Sequence, residues 1–172
     1  MRFLLLILFI LVSNCSDMKP QNYINTKPEI KIEEYFLGNV KAWGIFQGRS
    51  GVVKRKFTAE MNGFFEGKNF ILNEDFNWND GEKQKRKWTI KKVDDHNYEG
   101  TASDVVGIAK GASYGSAFKF EYNLLIPFKD KKIKVRFDDW IFKQDEKVAI
   151  NRAIVTKFGI KVGELTVFFV KN

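Results

Sequence analysis

Charged side chains on otherwise apolar strand faces are the residues of this sequence best placed to do chemistry. An unpaired charge inside a protein is very costly, so such arginines and carboxylates must pair with one another or with a ligand. An inward arginine can hold a carboxylate or phosphate through two nitrogens, which predicts an internal anchor for the headgroup of an amphiphile. A structural salt-bridge network, or bulges that turn these residues outward, are the alternatives. The candidates are Arg55, Glu74, Arg86, Asp139 and Arg152.

Aromatic residues are abundant enough either to line or to fill an interior. The chain has 17 Phe and 4 Trp residues. Ligand cavities are built mainly from apolar and aromatic side chains, so we take the tryptophans as candidate ligand-binding residues. An interior filled by the protein's own rings is the alternative. The four tryptophans are Trp43, Trp78, Trp88 and Trp140.

The sequence offers little for catalysis or metal binding. His96 is the sole histidine and falls in a predicted turn, and Cys15 is the sole cysteine, which excludes zinc sites of the Cys/His kind. Residues 75–81 begin like a calcium loop but lack the glycine required at its sixth position. Asp138 and Asp139 face opposite sides of a strand, so they cannot act as a carboxylate pair. We therefore expect no enzymatic activity, no metal and no cofactor.

The N-terminus has the pattern of an export signal. Residues 3–12 are ten consecutive apolar residues, a length typical of a secretory signal and about half that of a bilayer-spanning helix. Residues 11–15 resemble the lipobox of bacterial lipoproteins, with Asn14 in place of the usual small residue. This resemblance implies a signal peptide over residues 1–14 and acylation of Cys15, which would anchor the protein in a membrane.

A polar segment follows the cysteine. It has two prolines and no periodicity, so we predict a lipidated cysteine and flexible tether over residues 15–31. In the lipoproteins that the signal resembles, the residue after the acylated cysteine influences sorting, and Ser16 implies the outer membrane. We therefore expect a lipid-anchored protein of the bacterial cell envelope, on the periplasmic face of the outer membrane.

The chain is basic. Its formal charge is +8, and removal of residues 1–14, whose only charged side chain is Arg2, leaves +7. In an exported protein this charge suits anionic lipid headgroups better than nucleic acid, so no nucleic-acid partner is expected. A solvated surface is the alternative. The basic stretch 83–87 has the same two interpretations, as a membrane contact or as an edge protected by lysines.

From residue 40 onward the apolar residues follow a period of two, which predicts strands. Turn signals separate these strands at short intervals. Sequential antiparallel strands lose their exposed edges by closing into an up-and-down barrel, so we predict an all-β, lipocalin-like single domain over residues 32–172. A short helix at residues 32–36 would plug one end, and a two-sheet β-sandwich is the alternative. The nine or ten strands are expected near residues 40–47, 52–65, 69–78, 85–93, 97–103, 105–112, 117–128, 132–142, 147–157 and 164–171.

One predicted strand has an unusually small face. Every odd position from 107 to 117 is Gly, Ala or Ser. Such a face leaves room for a ligand, or it lets a loop or the plug helix approach the backbone closely. Both interpretations stay open on the sequence alone.

Seven short motifs carry a family resemblance. They lie at residues 42–51, 72–76, 80–82, 136–140, 150–153, 157–159 and 163–166. Together they resemble an uncharacterised bacterial lipoprotein family, the domain of unknown function thirty-eight thirty-three, over about residues 33–170. The family has no established activity, so the resemblance implies a lipoprotein and no catalytic residue.

Two functions fit these observations. The first is a membrane-anchored lipoprotein that binds a lipid-like or other hydrophobic ligand in its barrel, with a role in envelope lipid handling. The second is a non-enzymatic structural or accessory envelope protein with a filled core that acts through protein partners. A cavity of roughly several hundred cubic ångströms favours the first, and a solid core favours the second.

Overall fold

A computed structural model describes residues 18–128 and 130–172. The helix predicted at residues 32–36 is α1, Ile32–Tyr35, and each of the ten predicted strands is present. The strands are β1 (Gly38–Gly48), β2 (Val53–Glu66), β3 (Asn69–Trp78), β4 (Lys83–Lys92), β5 (Asn97–Thr101), β6 (Val105–Tyr114), β7 (Ala117–Phe128), β8 (Lys131–Lys143), β9 (Val148–Lys157) and β10 (Ile160–Lys171).

The strands form one closed antiparallel barrel. Each strand pairs with its neighbours in the chain, and β10 returns to pair with β1 from Val40 opposite Lys171 to Gly48 opposite Gly163. Closure satisfies the hydrogen-bonding groups that would otherwise form two exposed sheet edges. The prediction of an up-and-down barrel is confirmed, and the β-sandwich alternative is wrong.

Alternation of residue types decides which way the side chains point. Along β7, Phe118, Phe120 and Tyr122 are buried in the barrel, while Lys119 and Glu121 between them lie on the outer wall. Successive side chains of a strand project to opposite faces, so this sequence buries one face and solvates the other. The interior of the barrel is consequently aromatic.

One end of the barrel is closed by α1. The ring of Phe36 packs against Phe169 with centroids 5.2 Å apart, and the Tyr35 hydroxyl donates to the carbonyl of Lys147 at 2.9 Å. Glu33 accepts hydrogen bonds from Lys92 and Tyr98, both at 2.9 Å. We call this the closed end. The opposite end, formed by the turns after the odd-numbered strands, is called the mouth.

The N-terminal segment lies against the outer wall near the closed end. A 3₁₀ helix, Pro20–Tyr23, places the Tyr23 ring 5.9 Å from that of Trp140 and 5.5 Å from that of Phe142. Ile30 is 2% exposed, and its backbone N–H donates to the carbonyl of Gly115 at 2.8 Å. The structure therefore differs from a flexible tether over residues 20–31, because apolar side chains in this polar segment are packed on the barrel.

The small-residue face of β6 serves close packing. A Cβ atom at Gly111 would lie 2.7 Å from the ring of Phe118, and one at Gly115 would lie 1.9 Å from the carbonyl oxygen of Tyr23. The Ser113 hydroxyl also donates to the carbonyl of Ile30. Gly111 thus admits an aromatic ring on the inside, and Ser113 and Gly115 admit the N-terminal segment at the closed end.

The closed sheet and its core are formed within residues 18–172, so we expect this part of the chain to fold without the preceding residues. Every strand pair of the closed sheet and the buried core, from Ile30 to Phe169, lies within this range. In the part of the chain that the structure describes, no helix is long and apolar enough to cross a membrane.

Candidate functional site

The interior of the barrel holds a cavity of about 520 Å³. Buried Ile32 and Phe36 bound it at the closed end, and exposed Lys54, Glu82 and Val162 surround its opening at the mouth. A space of this size, with an aromatic lining, is typical of a small-molecule site. The aromatic residues that line it are Phe36, Phe46, Phe57, Phe70, Phe76, Trp78, Trp88, Phe118, Phe120, Tyr122, Phe128, Phe137 and Phe169.

A group of charged residues lies on the inner wall. Arg86 of β4 contacts Asp104 from the β5–β6 turn, with Nη2 2.8 Å and Nε 3.0 Å from Oδ2. Its Nη1 is 3.5 Å from Oε2 of Glu74 on the adjacent strand β3. Only 13% of the Arg86 side chain and 10% of the Glu74 side chain are exposed. One buried guanidinium therefore serves two carboxylates.

A second polar group includes Asp139 of β8. Its Oδ2 accepts a hydrogen bond from the Tyr122 hydroxyl at 2.9 Å, and its Oδ1 accepts one from the amide of Asn151. Tyr122 and Asn151 lie on the two strands that flank β8, and the ring of Tyr122 stacks on Phe137 with centroids 5.1 Å apart. Neutral donors, rather than a cation, thus hold this carboxylate.

The carboxyl groups of Glu74 and Asp139 retain their protons more strongly than usual. Burial raises the pKa of Glu74 to about 7, although the nearby Arg86 charge opposes the shift. Burial also raises the pKa of Asp139 to about 6, against the effect of the hydrogen bonds from Tyr122 and Asn151. Near neutral pH, Glu74 is therefore divided between its acid and carboxylate forms, and it can either donate or accept a hydrogen bond.

At the mouth, Arg55 is also committed to partners within the protein. Its guanidinium forms ion pairs with Asp80 at 2.7 Å and Glu82 at 2.8 Å. The same group lies over the ring of Trp78, 3.9 Å from the ring centroid. This arrangement fixes a cation and an aromatic face at the cavity opening.

The structure places six of the nine predicted ligand-binding residues on the cavity wall. Three are not there. Arg152 has a 67% exposed side chain on the outer wall, where it pairs with Glu164. Trp43 is also on the outer wall, beside Phe168. Trp140 is buried, but it lies outside the cavity, where the ring of Tyr23 covers it on the outer wall. The six on the cavity wall are Arg55, Glu74, Arg86, Asp139, Trp78 and Trp88.

The wrong positions predicted for Arg152, Trp43 and Trp140 have a common physical cause. Strands of this barrel carry apolar residues on both faces. Ile154 is 43% exposed on the outer wall of β9, whereas the inward positions of that strand include Ala153 and Asn151. Large apolar residues at Ile150 and Ile154 therefore predicted the wrong face for Arg152. The interior position predicted for Arg152 is wrong.

Three residues of the polar groups were absent from the sequence prediction. Tyr122 shares the inward positions of β7 with Phe118 and Phe120, so its alternation is the signal that reveals it. Asn151 is hidden by the inverted pattern of β9. Asp104 lies in a turn, where alternation predicts no direction, and only the closed barrel brings it to Arg86.

The predicted lipidation site, Cys15, lies outside the described residues. Among residues 18–128 and 130–172, no group of three or more His, Cys, Asp or Glu side chains is arranged to hold a metal ion.

Comparison with known proteins gives a family and a fold. A family model described as "Protein of unknown function (DUF3833)" matches residues 9–171. The chain belongs to the DUF3833 family. The family resemblance of the sequence motifs is confirmed. No curated protein matches this DUF3833 chain.

Among solved structures, the DUF3833 barrel is similar to the S-type phycobiliprotein lyase CPES from Guillardia theta. The TM-score is 0.61 at 10% sequence identity, and the match covers 81% of this chain and 90% of the lyase. At that identity the similarity concerns the fold alone, which is lipocalin-like as the strand pattern predicted.

Proposed function

We propose that this DUF3833 protein is a non-enzymatic binding module that holds a hydrophobic small molecule inside its barrel. The observation that carries the proposal is the 520 Å³ cavity, walled by Phe and Trp and open at one end. Apolar ligands gain free energy by leaving water for such a space. The fold similarity to a protein named as a phycobiliprotein lyase supports a ligand-holding barrel without identifying the ligand.

The competing function is that of an accessory protein with a filled core, and the open cavity disfavours it. Although 17 Phe residues are available, several of them pack outside the barrel or in its wall, and the middle stays open. An accessory protein that acts only through its surface has no use for an internal space, which lowers packing and so reduces stability.

The charges inside the barrel favour a ligand with a neutral or hydrogen-bond-donating polar group over an anion. Arg86 is shared between Glu74 and Asp104, and Arg55 is paired at the mouth. With its carboxylates ionised, the interior group of Arg86, Glu74, Asp104 and Asp139 carries a net negative charge. An anion placed beside this group would be buried next to carboxylates, where the nearest cation, Arg86, already has two partners, and such burial is costly. The anionic headgroup predicted from the sequence is therefore not the one we propose.

A fluorescence titration tests the binding function and its polarity together. Residues 18–172 are titrated at about pH 8 with dodecanol, dodecylamine and dodecanoate, and the emission of Trp78 and Trp88 reports filling of the cavity. We expect saturable binding of the alcohol and amine, and about tenfold weaker binding of the acid. Glu74→Gln should reduce the difference in affinity between the acid and the other two probes, whereas Arg152→Gln on the outer wall should leave it unchanged. Failure of all three probes to bind would contradict the proposal.

We also propose, from the sequence, that acylated Cys15 anchors the protein in the bacterial envelope, on the periplasmic face of the outer membrane. There the barrel would take part in handling envelope lipids. Ser16 and Asp17 alone separate Cys15 from Met18, the first described residue, so the barrel would stay close to its membrane. Metabolic labelling with a tagged fatty acid should mark the parent protein and not Cys15→Ser. Equal labelling of the parent and of Cys15→Ser would exclude the anchor.

A further inference from the structure

Large apolar side chains are exposed at the mouth, on turns that lie side by side. Phe158 is 93% exposed at the tip of the β9–β10 turn, and Ile160 follows it at 57%. Val52, in the β1–β2 turn, is 56% exposed, and Val53, the first residue of β2, is 40% exposed. Because β1 pairs with both β2 and β10, the two turns are adjacent. We call these four residues the rim patch.

The backbone at Phe158 is unusual. Phe158 and Gly159 both have positive φ, 51° and 78°, as the two central residues of a tight hairpin turn do in the type I′ form. Asn and Gly are the residues that favour the first of these positions, and a bulky aromatic residue is disfavoured there. A strained aromatic residue that is almost wholly exposed gains nothing for the fold, so it indicates a role in binding.

Basic side chains surround the rim patch. The two turns and their flanks carry Arg49, Lys54, Lys157 and Lys161, and Lys157 Nζ lies 5.4 Å from the ring centroid of Phe158. Lys131 and Lys132 begin β8 at the same end.

The acidic residues of the mouth are mostly neutralised by neighbouring cations. Asp80 and Glu82 pair with Arg55, Asp104 pairs with Arg86, and Glu164 pairs with Lys161. The mouth thus presents an excess of positive charge around apolar tips.

We infer that the mouth docks on an anionic lipid bilayer, with Phe158 and Ile160 inserted among the acyl chains and the surrounding lysines on the headgroups. Aromatic and apolar tips flanked by cations match the layered chemistry of a bilayer surface. The docked mouth would open onto the membrane interior, so an apolar ligand would exchange without crossing water. This inference does not depend on ligand binding, because the rim patch lies outside the cavity wall.

Cosedimentation of residues 18–172 with vesicles tests the inference. One set of vesicles is phosphatidylcholine, and the other contains phosphatidylglycerol in addition. We expect binding to the second set, weakened by added salt, and a loss of about tenfold or more in Phe158→Asn. Asn suits positive φ, so this variant should unfold no more readily than the parent. The matched control is Phe65→Asn, since Phe65 is 52% exposed near the closed end.

Each outcome of this experiment is decisive. Selective loss in Phe158→Asn, with Phe65→Asn unchanged, supports docking by the mouth. Failure of the parent to bind anionic vesicles, or equal binding by both variants and the parent, overturns the inference. The parent could instead fail to bind vesicles but form dimers that Phe158→Asn dissociates. The partner of the rim patch is then a second copy of the chain, and the inference is wrong.

Discussion

Arg86 donates hydrogen bonds to Asp104 through two guanidinium nitrogens, and its third nitrogen forms an ion pair with Glu74. The Nη2 and Nε atoms lie 2.8 Å and 3.0 Å from Oδ2 of Asp104, and Nη1 lies 3.5 Å from Oε2 of Glu74. Asp104 belongs to a turn at the mouth, and Glu74 lies in a strand of the inner wall. The single cation therefore joins the cavity opening to the cavity wall.

Loss of this cation should be strongly destabilising. Arg86→Met leaves two carboxylates in or near the interior without a partner, and we expect a loss of about 3–5 kcal/mol in the free energy of unfolding at about pH 8. Urea denaturation followed by circular dichroism measures this change. Arg152→Met is the matched control, and we expect it to change stability by less than about 0.5 kcal/mol because that side chain is 67% exposed. Equal effects of the two substitutions would show that the interior ion pairs contribute nothing.

Stability should fall with rising pH through Glu74. Its pKa is about 7 in the folded protein and 4.5 is its ordinary value, so the folded state binds more protons between those limits. Stability from this group is complete below about pH 4.5 and is lost as the pH rises through about 7. We expect Glu74→Gln to remove about 2–3 kcal/mol of pH dependence between about pH 5 and pH 8.

The comparison of variant and parent isolates the effect of Glu74 from that of other groups. Exposed carboxyls such as Asp94 and Asp145, whose pKa values are lowered by hydrogen bonds, act in the opposite direction at lower pH and are present in both proteins. Denaturation of Glu74→Gln and the parent at several pH values gives the difference directly. A difference that stays constant from about pH 5 to pH 8 would contradict the raised pKa.

The Tyr122 hydroxyl should matter most when Asp139 is charged. Tyr122→Phe removes a hydrogen bond to a buried carboxylate, for which we expect a cost of about 1–3 kcal/mol at about pH 8. Because the pKa of Asp139 is about 6, this cost should shrink at about pH 5, where the group is protonated and needs less stabilisation. The pH dependence should disappear in the background of Asp139→Asn. If the loss of stability in Tyr122→Phe is the same at both pH values, the hydroxyl does not act mainly by stabilising the charged form of Asp139.

The barrel could be predicted because strand pairing in it is local. Alternation in β7 and β8 fixed which residues face inward, and short turns fixed which strands are neighbours, so closure of the sheet followed from edge protection. Of the five charged residues predicted to face inward, four line the cavity, with Arg55 at the mouth, and Arg152 does not.

What alternation could not decide was the direction of strands with small inward residues. On β9 the inward side chains include Ala149, Ala153 and Asn151, while isoleucines lie outside. Hydrophobic size then points to the wrong face, as it did for Arg152. Contacts between distant segments, such as Asp104 with Arg86, have no periodic signature, because they arise only when the turns gather around the mouth.

The N-terminal segment was the least predictable element, and a matched pair of isoleucines tests its role. Ile30 is 2% exposed against the closed end, whereas Ile24 in the same polar segment is 51% exposed. We expect Ile30→Ala to cost about 2–5 kcal/mol, because it removes buried methyl groups and leaves a cavity, and Ile24→Ala to cost less than about 0.5 kcal/mol. Urea denaturation of residues 18–172 measures both. If the two variants are equally stable, residues 20–31 contribute nothing to the fold and behave as the flexible tether that their composition predicts. If Ile30→Ala is less stable than Ile24→Ala, residues 20–31 are part of the folded barrel.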